Sequence, residues 1–278
     1  MRPFFLPKPI EQLWQNNLSE QDKIQSIQTA YQKIKSDQPV VSVVIPAYNE
    51  EENILQTLLS LAKNIVPFGI EVIVVNNNST DATETLVKAS GVTCITETKK
   101  GITAARTAGL NAARGTIILT ADADTLYPEY WIDCMSAPLL KKTSVALTYG
   151  RFAFIPTGKT PRWIYFFYEY FSGFSRLLNK YFKDEAMNVY GFNSGFRRVQ
   201  ALAADAYTHP PGSNEDGYLA LKLRNKGFGI LCKVTQPKAL VWTTDRRIES
   251  DGGLIAATLK RIKRVLIKPK EIIIRSDL

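Results

Sequence analysis

The sequence predicts an α/β fold: a mostly parallel open sheet flanked by helices, with an extra helix before it and a basic helix after it. Three observations carry this. Between residues 40 and 120, short apolar runs rich in β-branched residues alternate with helical periodicities, the pattern of βαβ units with right-handed crossovers. The runs lack a period-two polarity, as expected for strands buried on both faces. The composition is that of a globular chain, with 278 residues, 45% hydrophobic and 22% charged, enough to bury a large core.

Taken in order, residues 10–35 carry Ile24, Ile27, Tyr31 and Ile34 at spacings of three and four, which predicts one amphipathic helix with Ser19 as N-cap. Residues 40–45 read as a buried strand ended by Pro46. Asn49, with Glu52 three residues on, reads as the cap of a helix whose apolar face is Ile54, Leu58, Leu59 and Leu61. Strands follow at 70–75, 92–95 and 116–120, with helices at 80–90 and 102–113. Beyond Tyr149 the rhythm loosens: an aromatic-dense helix at 162–182, a Gly/Asn/Arg-rich strand at 189–198, a helix at 214–225 and a basic helix at 254–267. There is no internal repeat and no low-complexity linker.

Charge is uneven. The chain holds 35 Lys+Arg and 26 Asp+Glu, net +9; residues 1–140 contribute 11 basic and 15 acidic side chains, and residues 141–278 contribute 24 and 11. The basic half suits phosphate, whether on nucleic acid, an anionic lipid surface or a phosphorylated substrate. Rare residues exclude other chemistries. A single histidine, His209, leaves no HExxH or Cys2His2 zinc site. Cys94, Cys134 and Cys232, odd in number and far apart, form neither a CxxC clip nor a disulfide framework, which fits a reducing compartment. Pro3, Pro7, Lys8 and Pro9 break any signal-peptide run, and the apolar stretch 163–171 is interrupted by Glu169 and far shorter than the ~20 residues that span a bilayer. The expected location is cytoplasmic, either free or peripheral on the inner face of the cytoplasmic membrane.

In a parallel α/β sheet, ligands bind beyond the carboxyl ends of the strands. Asp122-Ala123-Asp124 follows the fourth strand and delivers two hard oxygen donors to that edge, suited to Mg2+ or Mn2+ shared with a diphosphate. The alternative is a solvated turn. Pro46, Ala47, Tyr48 and Glu50 follow the first strand, and 76–81, an Asn-Asn-Asn-Ser-Thr-Asp run including Asn76 and Asn78, follows the second. That run either presents amides to a base or ribose or serves only as turn chemistry. Lys100 and Arg106 add positive charge after the third. His209 is a weak candidate for a metal or acceptor contact.

These residues, in this order and spacing, resemble family 2 glycosyltransferases, inverting enzymes with the glycosyltransferase A fold. The resemblance is carried by Val43-Val44-Ile45-Pro46-Ala47-Tyr48-Asn49-Glu50, Val75-Asn76-Asn77-Asn78-Ser79-Thr80-Asp81, Lys100-Gly101 to Arg106, Asp122-Ala123-Asp124, Gly191-Phe192-Asn193-Ser194-Gly195 and Asn214-Glu215-Asp216. It implies transfer of one sugar from a UDP- or GDP-sugar to a hydroxyl of a sugar or lipid-linked acceptor, in cell-envelope polysaccharide or glycolipid synthesis. By the same resemblance Ala47, Tyr48 and Glu50 line the base and ribose pocket with Arg106 beside the base. Asp122 meets ribose or metal, Asp124 holds Mn2+ or Mg2+ on the diphosphate, Asn193, Ser194, Gly195 and Glu215 meet the acceptor, and Asp216 is the general base. A helix N-terminus favours the ionised carboxylate that such a base needs; the plainer reading is that Glu215 and Asp216 only cap the helix. The domains implied are a helical extension at 1–39, a transferase domain at 40–253 split into nucleotide-sugar (40–125) and acceptor (126–253) halves, and a basic tail at 254–278.

Two departures matter. Asn76 and Asn77 stand where the family commonly has paired aspartates, and no Gln-x-x-Arg-Trp string occurs; instead Thr243-Thr244-Asp245-Arg246-Arg247 offers Arg246 or Arg247 as a diphosphate clamp. The aromatic helix either packs on the sheet or meets lipid, and the tail either packs on the domain or lies on an anionic membrane. Competing classes are a catalytically silent nucleotide-sugar or membrane scaffold and a nucleic-acid binder. The acidic N-terminal half and the lack of a recognised module argue against nucleic acid.

Overall fold

The computed structural model describes residues 2–211 and 213–267, the last seven as backbone only. Residues 268–278 of the basic tail lie outside the described residues.

The elements run α1 (Lys8–Trp14), α2 (Glu20–Tyr31), β1 (Val41–Ala47), α3 (Ile54–Ala62), β2 (Ile70–Asn76), α4 (Thr83–Ala89), β3 (Thr93–Thr96), α5 (Ile102–Ala112), β4 (Ile117–Thr120), β5 (Thr125–Leu126), α6 (Trp131–Lys141), β6 (Val145–Tyr149), β7 (Phe152–Ile155), α7 (Arg162–Phe182), β8 (Ser194–Arg197), α8 (Arg198–Ala203), α9 (Glu215–Asn225), β9 (Ile230–Lys233), β10 (Val241–Thr244), α10 (Arg246–Ser250) and α11 (Gly253–Ile267). Seven strands form one sheet in the order β3-β2-β1-β4-β8-β6-β9, and β5-β10-β7 form a second. Only β8 opposes its neighbours in the large sheet, lying antiparallel to both β4 and β6.

The sheet is buried on both faces. Val43 and Ile45 of β1 join α2, α3 and α6 in one core, while Val44 joins α5 and α9 in the other, the alternation a pleated strand dictates. Gly109 lets α5 lie close against the sheet, because a Cβ there would strike Val44 and Val75.

Several expectations change. The N-terminal region is two helices, not one, and it belongs to the main core: Ile24, Ile27 and Tyr31 are buried, and the Tyr31 hydroxyl accepts the Val72 backbone N–H at 2.8 Å. Ser19 does cap α2, accepting from the Asp22 N–H. Pro46 does not end β1, which continues to Ala47 beside β2. In a parallel strand the polar groups alternate between neighbours, and Val44 faces β4, accepting from Ala121. The nitrogen of Pro46 therefore points the same way, past the end of β4, where no ladder bond is lost. Asn49 does not cap α3. It sits at φ 52° and docks on the next loop, its Oδ1 accepting from Thr80 N (2.8 Å) and its N–H donating to Ser79 Oγ (3.0 Å).

Candidate active site

The site lies where the strand order reverses. From β1 the chain steps outward to β2 and β3, then returns to place β4 on β1's other side, so the loops after β1 and β4 diverge and leave a crevice. A cavity of about 820 Å³ occupies it. Pro46, Ala47, Tyr48 and Glu50 enter from β1, Asn77 from β2, Lys100, Gly101 and Arg106 from the α5 end, and Asp122, Ala123 and Asp124 from β4. Because β8 runs antiparallel, the residues before it, Tyr190, Gly191 and Phe192, arrive at the same edge. The start of α9 brings Asn214, Glu215 and Asp216, and α10 brings Arg246 and Arg247.

Arg106 organises the floor. It is 4% exposed and its guanidinium meets three carboxylates: Asp216, Glu215 at 2.9 Å and Asp122 at 3.5 Å. Gly191 is required above it, since a Cβ at that position would overlap the guanidinium. Arg106 lines the cavity as expected, and its charge is committed to the acids around it. Burial lifts the Asp216 carboxyl to about 7, with Arg106 pulling the other way and Glu215 adding to the lift. The helix-end argument for an easily ionised Asp216 is outweighed here, because desolvation of a carboxylate exceeds what one helix terminus returns. Burial also raises Asp122, against the pull of Arg106. Asn214 caps α9, accepting from Gly217 N at 2.7 Å, so Glu215 and Asp216 are not the capping side chains.

On the opposite wall Arg246 bridges two acids, Glu50 at 2.8 Å and Asp124 at 2.8 Å, and Thr244 donates to Asp124 at 3.2 Å. The small sheet makes this possible: Thr243 of β10 pairs with Thr125 of β5, setting the start of α10 against the Asp122–Asp124 turn. Asp122 and Asp124 both face the cavity, a donor set of hard oxygens that fits Mg2+ or Mn2+, which take one or two carboxylates and draw the rest of their shell from water and phosphates. Among the described residues no cluster of three or more His, Cys, Asp or Glu could hold a metal without such outside ligands.

Some expected contacts do not line the cavity. Asn76 turns inward, donating to Glu84 at 2.6 Å and accepting from Ser79 N. Asn78, at φ 65°, donates to the Glu97 and Thr98 carbonyls. Asn77 lines the cavity instead, its Oδ1 accepting from Gly101 N at 2.8 Å. Asn193, Ser194 and Gly195 lie below the edge: Asn193 accepts from the Trp131 indole (2.9 Å), Ser194 pairs its hydroxyl with Thr120 (2.7 Å) and Gly195 packs on Leu119 within the ladder. His209 meets Thr103 (3.1 Å) and Ser213 (3.0 Å), apart from the lining residues. Tyr127, fully buried, was not marked by any motif. Its hydroxyl accepts from Asp122 N (2.9 Å) and donates to the Phe192 carbonyl (3.0 Å), locking the acidic turn to the β8 loop.

Residues 42–201, more than half of the chain, match the profile of glycosyl transferase family 2. The chain belongs to that family. Glycosyltransferase AglE of Haloferax volcanii is 32% identical over 130 residues, 44% of this chain and 42% of that protein. A dolichol-phosphate mannosyltransferase of Pyrococcus furiosus is 28% identical over 131 residues, 45% of this chain and 36% of that one. This chain thus spans less than half the length of these curated relatives. Among solved structures, mannosyltransferase PcManGT from Pyrobaculum calidifontis, in complex with GDP-Man and Mn2+, superimposes with a TM-score of 0.56 at 20% identity, covering 87% of this chain and 73% of that one. Glucosyl-3-phosphoglycerate synthase from Mycobacterium tuberculosis, with Mn2+, UDP and phosphoglyceric acid, gives a TM-score of 0.56 at 20% identity, covering 91% and 84%. The family 2 chain thus has the glycosyltransferase A fold.

Proposed function

We propose that this family 2 glycosyltransferase transfers one sugar, with inversion, from a UDP- or GDP-sugar to a hydroxyl acceptor. The observation that carries the reading is one cavity faced by a buried carboxyl poised near 7, Asp216, and by a separate wall of Asp122, Asp124, Arg246 and Arg247. The nucleotide occupies the β1 and β2 loops, against Ala47, Tyr48 and Asn77. The diphosphate faces Lys100, Arg246 and Arg247, whose charges oppose that of the leaving group. Asp216 accepts the proton of the acceptor hydroxyl as its oxygen bonds to the anomeric carbon and the bond to the diphosphate breaks. Bound at Asp122 and Asp124, Mn2+ or Mg2+ supplies further positive charge to the diphosphate. Neighbours of the same fold are known with Mn2+ and with GDP-Man or UDP, which supports this donor class.

The setting proposed is cell-envelope polysaccharide or glycolipid synthesis at the cytoplasmic face of a membrane. No described helix is long and apolar enough to cross one. Helix α7 instead exposes Trp163, Phe167, Phe171, Phe174, Tyr181 and Phe182 along one side while burying only Tyr165 and Glu169, an amphipathic face of the kind that lies in a lipid interface. Thermal unfolding with UDP, GDP, CMP and dTDP, each with and without Mn2+, tests the donor site. A ligand at 100 times its Kd adds about 2.7 kcal/mol of stability. A metal-dependent rise with one diphosphate is expected, and no rise with any would overturn the reading. Inversion is tested by the anomeric configuration of the product.

A further inference from the structure

A second pocket, of about 100 Å³, lies beside the cleft and is lined by Arg2, Arg151, Arg176, Lys233, Asn188 and Tyr190, among others. Its charge is nearly all of one sign. Arg2, 7% exposed, pairs with Glu169 at 3.3 Å and donates to the Phe152 carbonyl, but Glu169 is shared with Arg162 at 2.9 Å. Glu185, the other acid nearby, is taken by Lys180 (2.8 Å) and by the Tyr149 hydroxyl (2.6 Å). Among the described residues none of Arg151, Arg176 and Lys233 has a carboxylate within 4 Å. Arg151 donates one Nη to the Thr235 carbonyl while its Nε is buried with no hydrogen-bond partner, and Arg176 rests 5.0 Å over the Phe152 ring.

Cations confined together repel one another, and a donor buried unpaired costs free energy. Burial lowers Arg2, Arg151 and Lys233, and Arg176, Arg151 and Arg2 each push Lys233 lower still. An oxyanion removes both costs at once, since guanidinium groups match the oxygens of a phosphoryl or carboxylate group. The volume falls well short of the ~300 Å³ at which pockets hold a drug-sized molecule, so it admits one group rather than a whole ligand. Tyr190 lines this pocket and the large cavity alike, so a group held here is one side chain away from the transfer site.

We propose that this pocket binds a phosphate-class oxyanion, and that the anion is carried by the acceptor. The second half rests on the transferase reading; the first does not. Thermal unfolding of the full chain at constant ionic strength tests the first, with inorganic phosphate against chloride as the probe. Phosphate is expected to raise the midpoint, and the double variant Arg176→Gln, Lys233→Gln is expected to weaken binding about tenfold or more per cation removed. An equal rise with chloride, or a response that the double variant retains and Lys100→Gln loses, would overturn the site. Glycerol phosphate then separates the sources. Stabilisation by this monoester, lost in the same double variant, supports an acceptor-borne group, whereas binding of inorganic phosphate alone overturns that half. In the transfer assay the double variant should raise the acceptor KM and leave the donor KM unchanged. Binding without transfer would refute the enzyme reading and not the pocket.

Discussion

Replacing Asp216 by Asn separates a poised base from a structural ion-pair partner. Asn keeps the shape of the side chain and cannot accept the proton. The Asp216 carboxyl titrates near 7 in the folded chain, against 3.8 for an unperturbed aspartate, because burial outweighs the pull of Arg106. A folded-state carboxyl pKa above the unfolded value means that the fold binds the proton more tightly. The stabilising contribution of this proton is therefore lost as pH rises from about 4 to about 7 and is gone beyond. The gap corresponds to ~4 kcal/mol, and half of that shifts the midpoint of a chain this size by ~4 °C or more. D216N should therefore be more stable than the parent at pH 8, equal to it near pH 4, and slower in transfer by a factor of ~10²–10⁴. Differential scanning calorimetry across pH 4–8 and a transfer assay at saturating metal read the two halves. In the parent, kcat/KM should rise with pH and level off above about 7. A variant less stable than the parent at pH 8, or one that still transfers at full rate, refutes the assignment of Asp216 as a base held at a cost to the fold.

Three further outcomes are expected. Asp124→Ala should abolish metal-dependent nucleotide binding in titration calorimetry while changing the ligand-free unfolding midpoint little, because Arg246 keeps Glu50 as a partner. Gly191→Ala places a methyl group into the Arg106 guanidinium and should lower kcat/KM about tenfold or more with the circular dichroism spectrum unchanged; an active variant would mean that Arg106 has room to move. Tyr127→Phe removes a bridging hydroxyl and leaves the Asp122 N–H and the Phe192 carbonyl without it, at a cost of about 1–3 kcal/mol in urea unfolding.

Much of this protein was legible in its residues. Apolar runs of β-branched side chains followed by helical periodicity located β1, β2 and β4, and α7 and α9 fall where their patterns placed them, because those signals depend on neighbours a few residues away. A parallel sheet has a ligand edge by construction, so Pro46–Glu50 and Asp122–Asp124 could be placed on it from chain order alone. Residues whose role depends on a distant partner were not legible. The reversal of β8 is set by which strands it pairs with, and it brings Tyr190–Phe192 to the edge while turning Asn193–Gly195 into the sheet. Asn76 and Asn77 are alike as letters, yet one turns to Glu84 and the other to the cavity. Arg106 lies more than a hundred residues from Asp216, and only their burial in one floor decides that the arginine serves three carboxylates and that the aspartate titrates near 7. Local pattern determined the elements and the edge at which chemistry occurs; desolvation and long-range pairing, which exist only once the chain has folded, decided which side chains face the cleft and in what charge state.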